Sequence, residues 1–548
     1  MPMEKIGPFE YRRFAPALPE LTAEGLDRRD HQVLIAGGGP VGLLTALGLA
    51  RWGVASVVIE ADDSVCEGSR AACISRRSLE ILERHGVAEA LLQKGLAWTR
   101  GRSYWGQQQV FVFDMPSSPG EKFPPMINLE QYYIEQFLLD EIARINTASP
   151  GMVDIRWASR LSSFQQHEQG VRAQVENALG SYALDARWLV ACDGGQSTVR
   201  NQLGLELKGV GYQGRYAIVD IELESSYPTE RRAWFDPPWA KGSTILMHRQ
   251  PDNIWRIDFQ LAAQQDAEAV LRPENVRRFV QTHLDAIGEG HLHWTPVWTS
   301  IYRAGAMTLD SYRHGRILFA GNSAHAMPIF GVRGLNSGFD DADNLIWKLA
   351  SVIQGHAGQA LLDSYSDERI EAFHVNAASA MRSTEFMSPP HRGFELMREA
   401  ALSLAGHHPG IARLVNPRQT SAITYRQSSL STHGEAGAVA LGAPLADACL
   451  PDGGHLSDRL NTAGFSLLVL GDGTRDEAPL ADGRLCRTVR LPLAALGADL
   501  ARPATYLLRP DGHVCAHWPQ PSAGEIEAAL ARATCRATSP TEGNHHEL

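Results

Sequence analysis

Gly37-Gly38-Gly39-Pro40-Val41-Gly42 is the stretch of this chain best suited to hold a nucleotide phosphate. An apolar run at 33–36 leads into it, helical apolar spacing from Leu43 to Trp52 leads out, and a second apolar run at 57–59 closes on Glu60. Gly37 can take a positive φ in the turn, Gly39 has no side chain to hold a pyrophosphate off the helix N-terminus, and Gly42 lets helix and sheet approach closely. Glu60 sits where a carboxylate reaches a ribose hydroxyl. Strand, tight turn, helix, strand and acid predict a dinucleotide site of either the FAD or the NAD kind; an ordinary strand-turn-helix is the plain alternative.

Two more turns could contribute. A strand over 182–190 ends in Cys192-Asp193-Gly194-Gly195-Gln196-Ser197 at a helix start, with Arg200 one turn in. A strand over 316–320 ends at Gly321-Asn322-Ser323-Ala324-His325. A loop dense in small residues, 326–338, follows it and precedes a helix marked by Phe339, Ala342, Ile346 and Leu349. Glycines such as Gly334 let backbone amides crowd a ligand, and the positive end of the helix favours an anion. A reduced flavin gathers negative charge at N1 and O2, and this loop-to-helix start is the kind of place that would hold it; a glycine-rich inter-domain connection is the alternative. Arg70 and Arg76 lie just downstream of the first turn. A helix N-terminus disfavours a cation, so Arg76 predicts an anionic partner such as a pyrophosphate, unless both are ordinary surface arginines. Gln131 and Glu135 are four apart on a helix predicted over 128–145, and by periodicity they form a solvated stripe.

The elements that must position these residues fall into blocks. Positions 1–30 form a charged, proline-containing N-terminal extension that Phe9, Tyr11, Phe14 and Leu18 lay over the body of the protein. A Rossmann-like α/β domain takes 31–203 and 304–395, with strands at 153–157, 171–175 and 182–190 read as a meander and a strand pair at 104–113. Strands at 216–223, 243–249 and 254–261 lack βαβ spacing, so 204–303 is predicted to be an inserted antiparallel-sheet domain with one helix at 273–287. A helical segment and a small-residue linker occupy 396–437. Positions 438–540, with buried strands near 464–471 and 506–514, read as a small α/β domain.

Composition narrows the partners. At 548 residues, 44% hydrophobic and 21% charged, the chain can bury two or three cores, and a net charge of -11 argues against nucleic acid. Seven cysteines without metal-ligand or disulfide spacing read as reduced thiols, and no catalytic metal is expected. Neither a signal peptide nor an 18-residue apolar window is evident, so no membrane partner and a cytoplasmic location are expected, as monomer or homodimer.

Taken together, the three turns with Arg70, Gln131 and the helix through Leu345 and Leu349 resemble the class A flavoprotein aromatic hydroxylases, nearest to the hydroxyphenylpropionate and phenol hydroxylase groups. The resemblance spans most of 33–394 and implies tightly but non-covalently bound FAD, with NAD(P)H as transient reductant and O2 as co-substrate. It implies Gly37, Gly39, Pro40, Val41, Gly42 and Glu60 on the nucleotide, Arg70 on the pyrophosphate side and Gln131 on the flavin chain. It implies that the backbone surroundings of Asp193 help place FAD and NAD(P)H, with Pro328 beside the reactive edge of the ring and the amides near Gly334, Leu335 and Asn336 facing its pyrimidine. Asn322 stands where the family usually has Asp, and Asn keeps an acceptor for a ribityl hydroxyl while losing the charge. The block from 438 resembles the thioredoxin-like C-terminal domain of the phenol-hydroxylase group, without its own Cys-x-x-Cys.

The implied reaction is hydroxylation of a single-ring phenol through a C4a-hydroperoxyflavin, with the protein orienting or deprotonating the phenol and excluding water. Substrate contacts are sought on the predicted sheet at Tyr216, His248, Trp255, Arg256, Phe259 and Tyr302, with Tyr216, His248, Arg303 and Pro328 as the catalytic set. An acidic substrate would need Arg256 or Arg303 pointing inward. An oxidase or dehydrogenase of the same fold, and a non-catalytic flavin-fold protein suggested by Asn322, are the alternatives.

Overall fold

The computed structural model describes residues 3–68, 70–117, 120–262, 264–411, 419–434, 438–471, 485–493 and 503–536. Within the predicted helical segment and linker, 412–418 and 435–437 lie outside them.

Apolar runs buried on both faces make parallel strands. His31–Ala36, apolar from Val33 on, lies between Ser56–Ile59 and Gly180–Ala191, and Ile317–Phe319 pairs with the latter, all parallel. Val153–Arg156 joins this array beside Ser56–Ile59. It was expected in the meander; the meander's first strand is instead Ser159–His167, whose mixed polar sequence hid it. Helix α1 (Pro40–Arg51) packs between α2 (Gln131–Ala148) and α3 (Gly334–Ile353). The α1–α3 approach is close enough that a Cβ on Gly48 would sit 2.3 Å from Ile346 Cδ1. Helix α4 (Leu361–Met387) follows α3. The N-terminal lead is held by aromatic contacts: Phe9 meets Tyr132 at 4.6 Å between centroids, and Phe14 stacks on Trp157 at 4.6 Å, while Leu18 stays exposed.

A second sheet of eight strands runs in the order His325–Ala326, Trp294–Thr308, Lys208–Leu223, Ile254–Leu261, Thr244–Arg249, Arg231–Phe235, Arg100–Trp105, Gln108–Asp114. It therefore reaches beyond 204–303: the 100–114 hairpin covers an otherwise bare edge by pairing parallel to Arg231–Phe235. One face carries Val219, Ile221, Trp234, Ile245 and Ile257 against Val276, Val280 and Leu284 of the Pro273–Ala286 helix. The other carries Tyr216, Ala233, Phe235 and Leu246 against Phe330 and Met387.

The last strands, Phe465–Leu470, Cys486–Leu491, Ala504–Leu508 and Val514–Trp518, form a mixed four-stranded sheet with the Ala523–Ala533 helix after it. Burial pushes the thiols of Cys486 and Cys515 up to about 12, which leaves them protonated. A buried charge network docks this sheet: Arg509 donates to both oxygens of Glu368 on α4 (2.5 and 2.9 Å), and Trp347 Nε1 of α3 donates to Asp511 (3.1 Å). Among the described residues no helix is long and apolar enough to cross a membrane, and no group of three His, Cys, Asp or Glu is placed to hold a metal ion.

Candidate functional site

The first turn has the geometry of a phosphate cradle. Gly37 has φ +102°, and a Cβ there would lie 2.4 Å from the Cys192 carbonyl oxygen. A Cβ on Gly42 would lie 2.0 Å from the Gly37 carbonyl oxygen, so its absence seats α1 on its own turn as well as on the sheet. At Gly39 nothing stands within 4 Å of an added Cβ, so this position opens outward. Pro40 occupies the first helical position, where no donor is lost, and leaves the amides of Val41 and Gly42 at the positive end of α1. Glu60 accepts from the amides of Gly38 (2.5 Å) and Asp62 (2.8 Å), which aims its carboxylate at the mouth of the turn, while burial raises its pKa.

Asp193 Oδ2 accepts from Val199 N at 3.1 Å, and its Oδ1 is buried without a partner. Arg200 is structural: it donates to the carbonyls of Gly195 (2.5 Å) and Ser323 (3.0 Å) and ties the second turn to the third. Asn322 sits exposed at the tip of the third turn. Asp341, on α3, accepts from Gly321 N (2.9 Å), His325 Nε2 (2.7 Å) and Arg369 Nε (2.6 Å). Burial alone would raise its pKa, but His325 and Arg369 hold it down to about 2.

The loop before α3 is pinned from both sides. Asn336 Oδ1 accepts from Ser75 N (2.9 Å) and Ser78 Oγ (2.7 Å), and its Nδ2 donates to the carbonyls of Cys73 (3.1 Å) and Val332 (2.5 Å). The side chain of Asn336 thus fixes the loop. The first intrahelical bond of α3 is Ser337 N to Arg333 O, which leaves the amides of Gly334, Leu335 and Asn336 as unused first-turn donors. Val332 holds φ +53°, a left-handed conformation that a β-branched residue rarely adopts, and packs against Cys73, Trp98 and Phe113. Pro328 is buried.

Arg70 is exposed, and its carbonyl accepts from Arg256 Nη1 at 2.9 Å. Gln131 donates to Glu135 Oε1 (2.8 Å), whose other oxygen accepts from Cys66 N (2.7 Å). This corrects the solvated stripe: Glu135 is buried, and desolvation pushes its pKa up to about 7. The anion expected for Arg76 is Glu121, 2.5 Å away, with the Phe123 carbonyl as second acceptor.

On the second sheet, cross-strand register sorts the remaining candidates by face. Tyr216, Tyr302, Arg256 and His248 share the face toward the 326–338 loop, as the pairs Tyr216–Tyr302, Asp220–Arg256 and His248–Arg256 require. Tyr216 hydrogen-bonds Ser388 Oγ, and its ring meets Phe330 edge-on at 5.2 Å. Tyr302 donates to the Met327 carbonyl at 2.6 Å, one residue from Pro328. His248 Nδ1 is buried without a partner; burial first, then Arg256 and Arg231, hold its pKa well below the ordinary value. Arg256 is ion-paired to Asp258 at 3.1 Å. Trp255 and Phe259 occupy the opposite face: they lie in the core under the Pro273–Ala286 helix, with Trp255 Nε1 donating to Leu223 O at 3.1 Å. Arg303 is exposed and out of phase with Tyr302, so it does not join Tyr216 and His248. The residues that sequence reasoning missed are Asp341, Phe330, Ser388 and Arg231; the strand alternation that put Ala233 and Phe235 on one face was the signal available for Arg231.

An outward-opening glycine turn, an orphaned Asp193 oxygen and free amides at two helix starts fit FAD. The chain belongs to the family described as FAD binding domain, which matches residues 30–379. It is 29% identical over 383 residues to a 3-(3-hydroxy-phenyl)propionate/3-hydroxycinnamic acid hydroxylase of Escherichia coli O139:H28, covering 70% of this chain and 67% of that one. It is 28% identical over 509 residues to a flavin-dependent monooxygenase of Mycobacteroides abscessus, covering 88% and 96%. The fold matches the flavin-dependent monooxygenase PieE, solved with FAD and substrate, at TM-score 0.78 and 21% identity over 93% of this chain and 100% of that chain.

Proposed function

We propose that this protein is an FAD-dependent monooxygenase that consumes NAD(P)H and O2 and hydroxylates a single-ring phenol. The observation that carries the reading is the Tyr302 bond to Met327 O at 2.6 Å, which ties the polar and aromatic face of the sheet to the loop beside Pro328. FAD supplies reduction by NAD(P)H and activation of O2 when bound. The amides of Val41 and Gly42, with Glu60, Arg70, Gln131 and Asp193, would hold its nucleotide and ribityl parts, Asn322 would offer an amide to a ribityl hydroxyl, and the amides of Gly334, Leu335 and Asn336 would hold the flavin pyrimidine.

The chain's own residues then act on the phenol. Phe235, Leu246 and Phe330 exclude water from the face where the ring lies. His248 is kept uncharged, so its unpartnered Nδ1 can accept a hydrogen bond from the phenol hydroxyl and orient it. Tyr216, held by Ser388, orients the hydroxyl. A panel of phenols assayed for product and H2O2 per NAD(P)H tests this: coupled formation of a hydroxylated product is expected, whereas substrate-stimulated H2O2 alone would make the protein an oxidase of the same fold.

The flavin is expected to be non-covalent. Cys73, the thiol nearest the pinned loop, is buried with its pKa pushed up to about 11 and donates to Asn128 Oδ1, so it is a poor nucleophile toward a flavin. Acid precipitation should release all yellow colour into the supernatant; colour retained on the polypeptide would contradict it.

A further inference from the structure

Several buried arginines in this protein are matched to carboxylates. Arg77 has Asp340 at 3.5 Å, Arg156 has Asp154 at 3.0 Å, Arg369 has Asp341 at 2.6 Å and Arg509 has Glu368 at 2.5 Å. Arg200 and Arg398 are buried without a carboxylate but donate to main-chain carbonyls; among the described residues Arg231 has neither kind of acceptor. It is 8% exposed, no carboxylate of the described residues lies within 4 Å, and its guanidinium makes one hydrogen bond, to Gln419 Oε1 at 3.3 Å. Its Nε is buried without a partner. A buried cation left to a neutral amide is costly unless something anionic arrives.

Its position says what could arrive. Strand alternation places Arg231 on the same face as Ala233 and Phe235, which pack with Tyr216, Leu246 and Phe330. One step along from the Arg232–Met247 pair, it stands across from His248, another buried group on this face with an unpartnered nitrogen. Gln419 also links this corner to the flavin loop: its carbonyl accepts from Arg333 Nη2 at 3.3 Å, and Thr420 N donates to Gly331 O at 2.9 Å. Arg256, another cation on this face, is already engaged by Asp258 and by the Arg70 carbonyl, and Arg398, beside Phe235, donates to the Met387 carbonyl.

We propose that Arg231 is the anchor for a carboxylate carried by the phenolic substrate, so that the enzyme selects acidic phenols over neutral ones of the same size. The planar guanidinium offers a carboxylate two parallel donors, and the apolar wall of Phe235 and Leu246 takes the ring. The proposal rests on the reading of this site as a phenol hydroxylase.

The test uses the FAD-loaded enzyme with 3-(3-hydroxyphenyl)propionate and its neutral near-isostere 3-propylphenol, with affinities read from perturbation of the flavin spectrum and turnover from product per NAD(P)H. The wild type should bind the acid at least about tenfold more tightly than the neutral phenol, as a hydrogen-bonded charge pair allows. Arg231→Gln should erase that preference and leave 3-propylphenol affinity and FAD content unchanged, while Arg231→Lys should keep part of it. If Arg231→Gln fails to retain FAD, Arg231→Lys alone decides, with at least about a threefold loss of preference expected from the lost second donor. An acid preference unchanged in the variants, or absent from the wild type while 3-propylphenol is hydroxylated, overturns the role of Arg231 and leaves the reaction standing. No hydroxylation of either phenol overturns the reaction itself.

Discussion

Gly39→Val should purify colourless and stay colourless after incubation with FAD, with affinity at least about a hundredfold below wild type, or about 3 kcal/mol. The effect comes from the ligand side alone. Gly39 has φ -72° and ψ -178°, an extended conformation that valine adopts readily, and an added Cβ meets nothing within 4 Å. The apo fold should therefore survive, with thermal unfolding matching that of FAD-stripped wild type. The branched side chain fills the space through which a pyrophosphate reaches the amides of Val41 and Gly42. Near-native FAD affinity in this variant would mean the nucleotide lies elsewhere. Gly37→Val is the contrasting control: φ +102° and the Cys192 carbonyl at 2.4 Å make it a folding defect.

Asp341→Asn should destabilise the protein by about 3–5 kcal/mol at neutral pH, because Arg369 and His325 lose the charge that both face. It should also loosen FAD, since Asp341 registers the Gly321 turn against α3. The pH dependence identifies the cause. The folded carboxyl is held at about 2 against about 3.9 unfolded, so its contribution is complete above about pH 4 and disappears as pH falls toward 2. The gap between wild type and Asp341→Asn in urea midpoint stability should shrink by roughly 2 to 3 kcal/mol between pH 5 and pH 2. A gap that does not change with pH would show that Asp341 acts by shape and not by charge.

Local sequence made the nucleotide turn legible, because glycine spacing, flanking apolar runs and Glu60 are all consequences of one strand-turn-helix-strand unit. What stayed hidden depended on partners far along the chain. Val153–Arg156 reads as any short strand, and only its pairing with Ser56–Ile59 makes it part of the parallel array. Alternation along 254–261 separates Arg256 from Trp255 and Phe259 without saying which face meets the flavin loop; the helix at Pro273–Ala286 decides that by covering the other. Glu135 looks solvated by helical period, yet Cys66 and Gln131 bury and bond it. Asp341 and Arg231 carry no motif at all. One shows its role through three donors converging on a buried carboxylate, the other through the absence of a carboxylate beside a buried guanidinium.

The central claim is oxygen transfer from O2 to a phenol on this flavin fold, and isotope labelling tests it most directly. Holoenzyme turning over 3-(3-hydroxyphenyl)propionate or 3-propylphenol with NAD(P)H under 18O2 should yield a catechol or hydroquinone carrying one 18O atom, with product formed in step with NAD(P)H consumed. Label only in H2O2, or a hydroxylated product whose oxygen comes from water, would contradict the account.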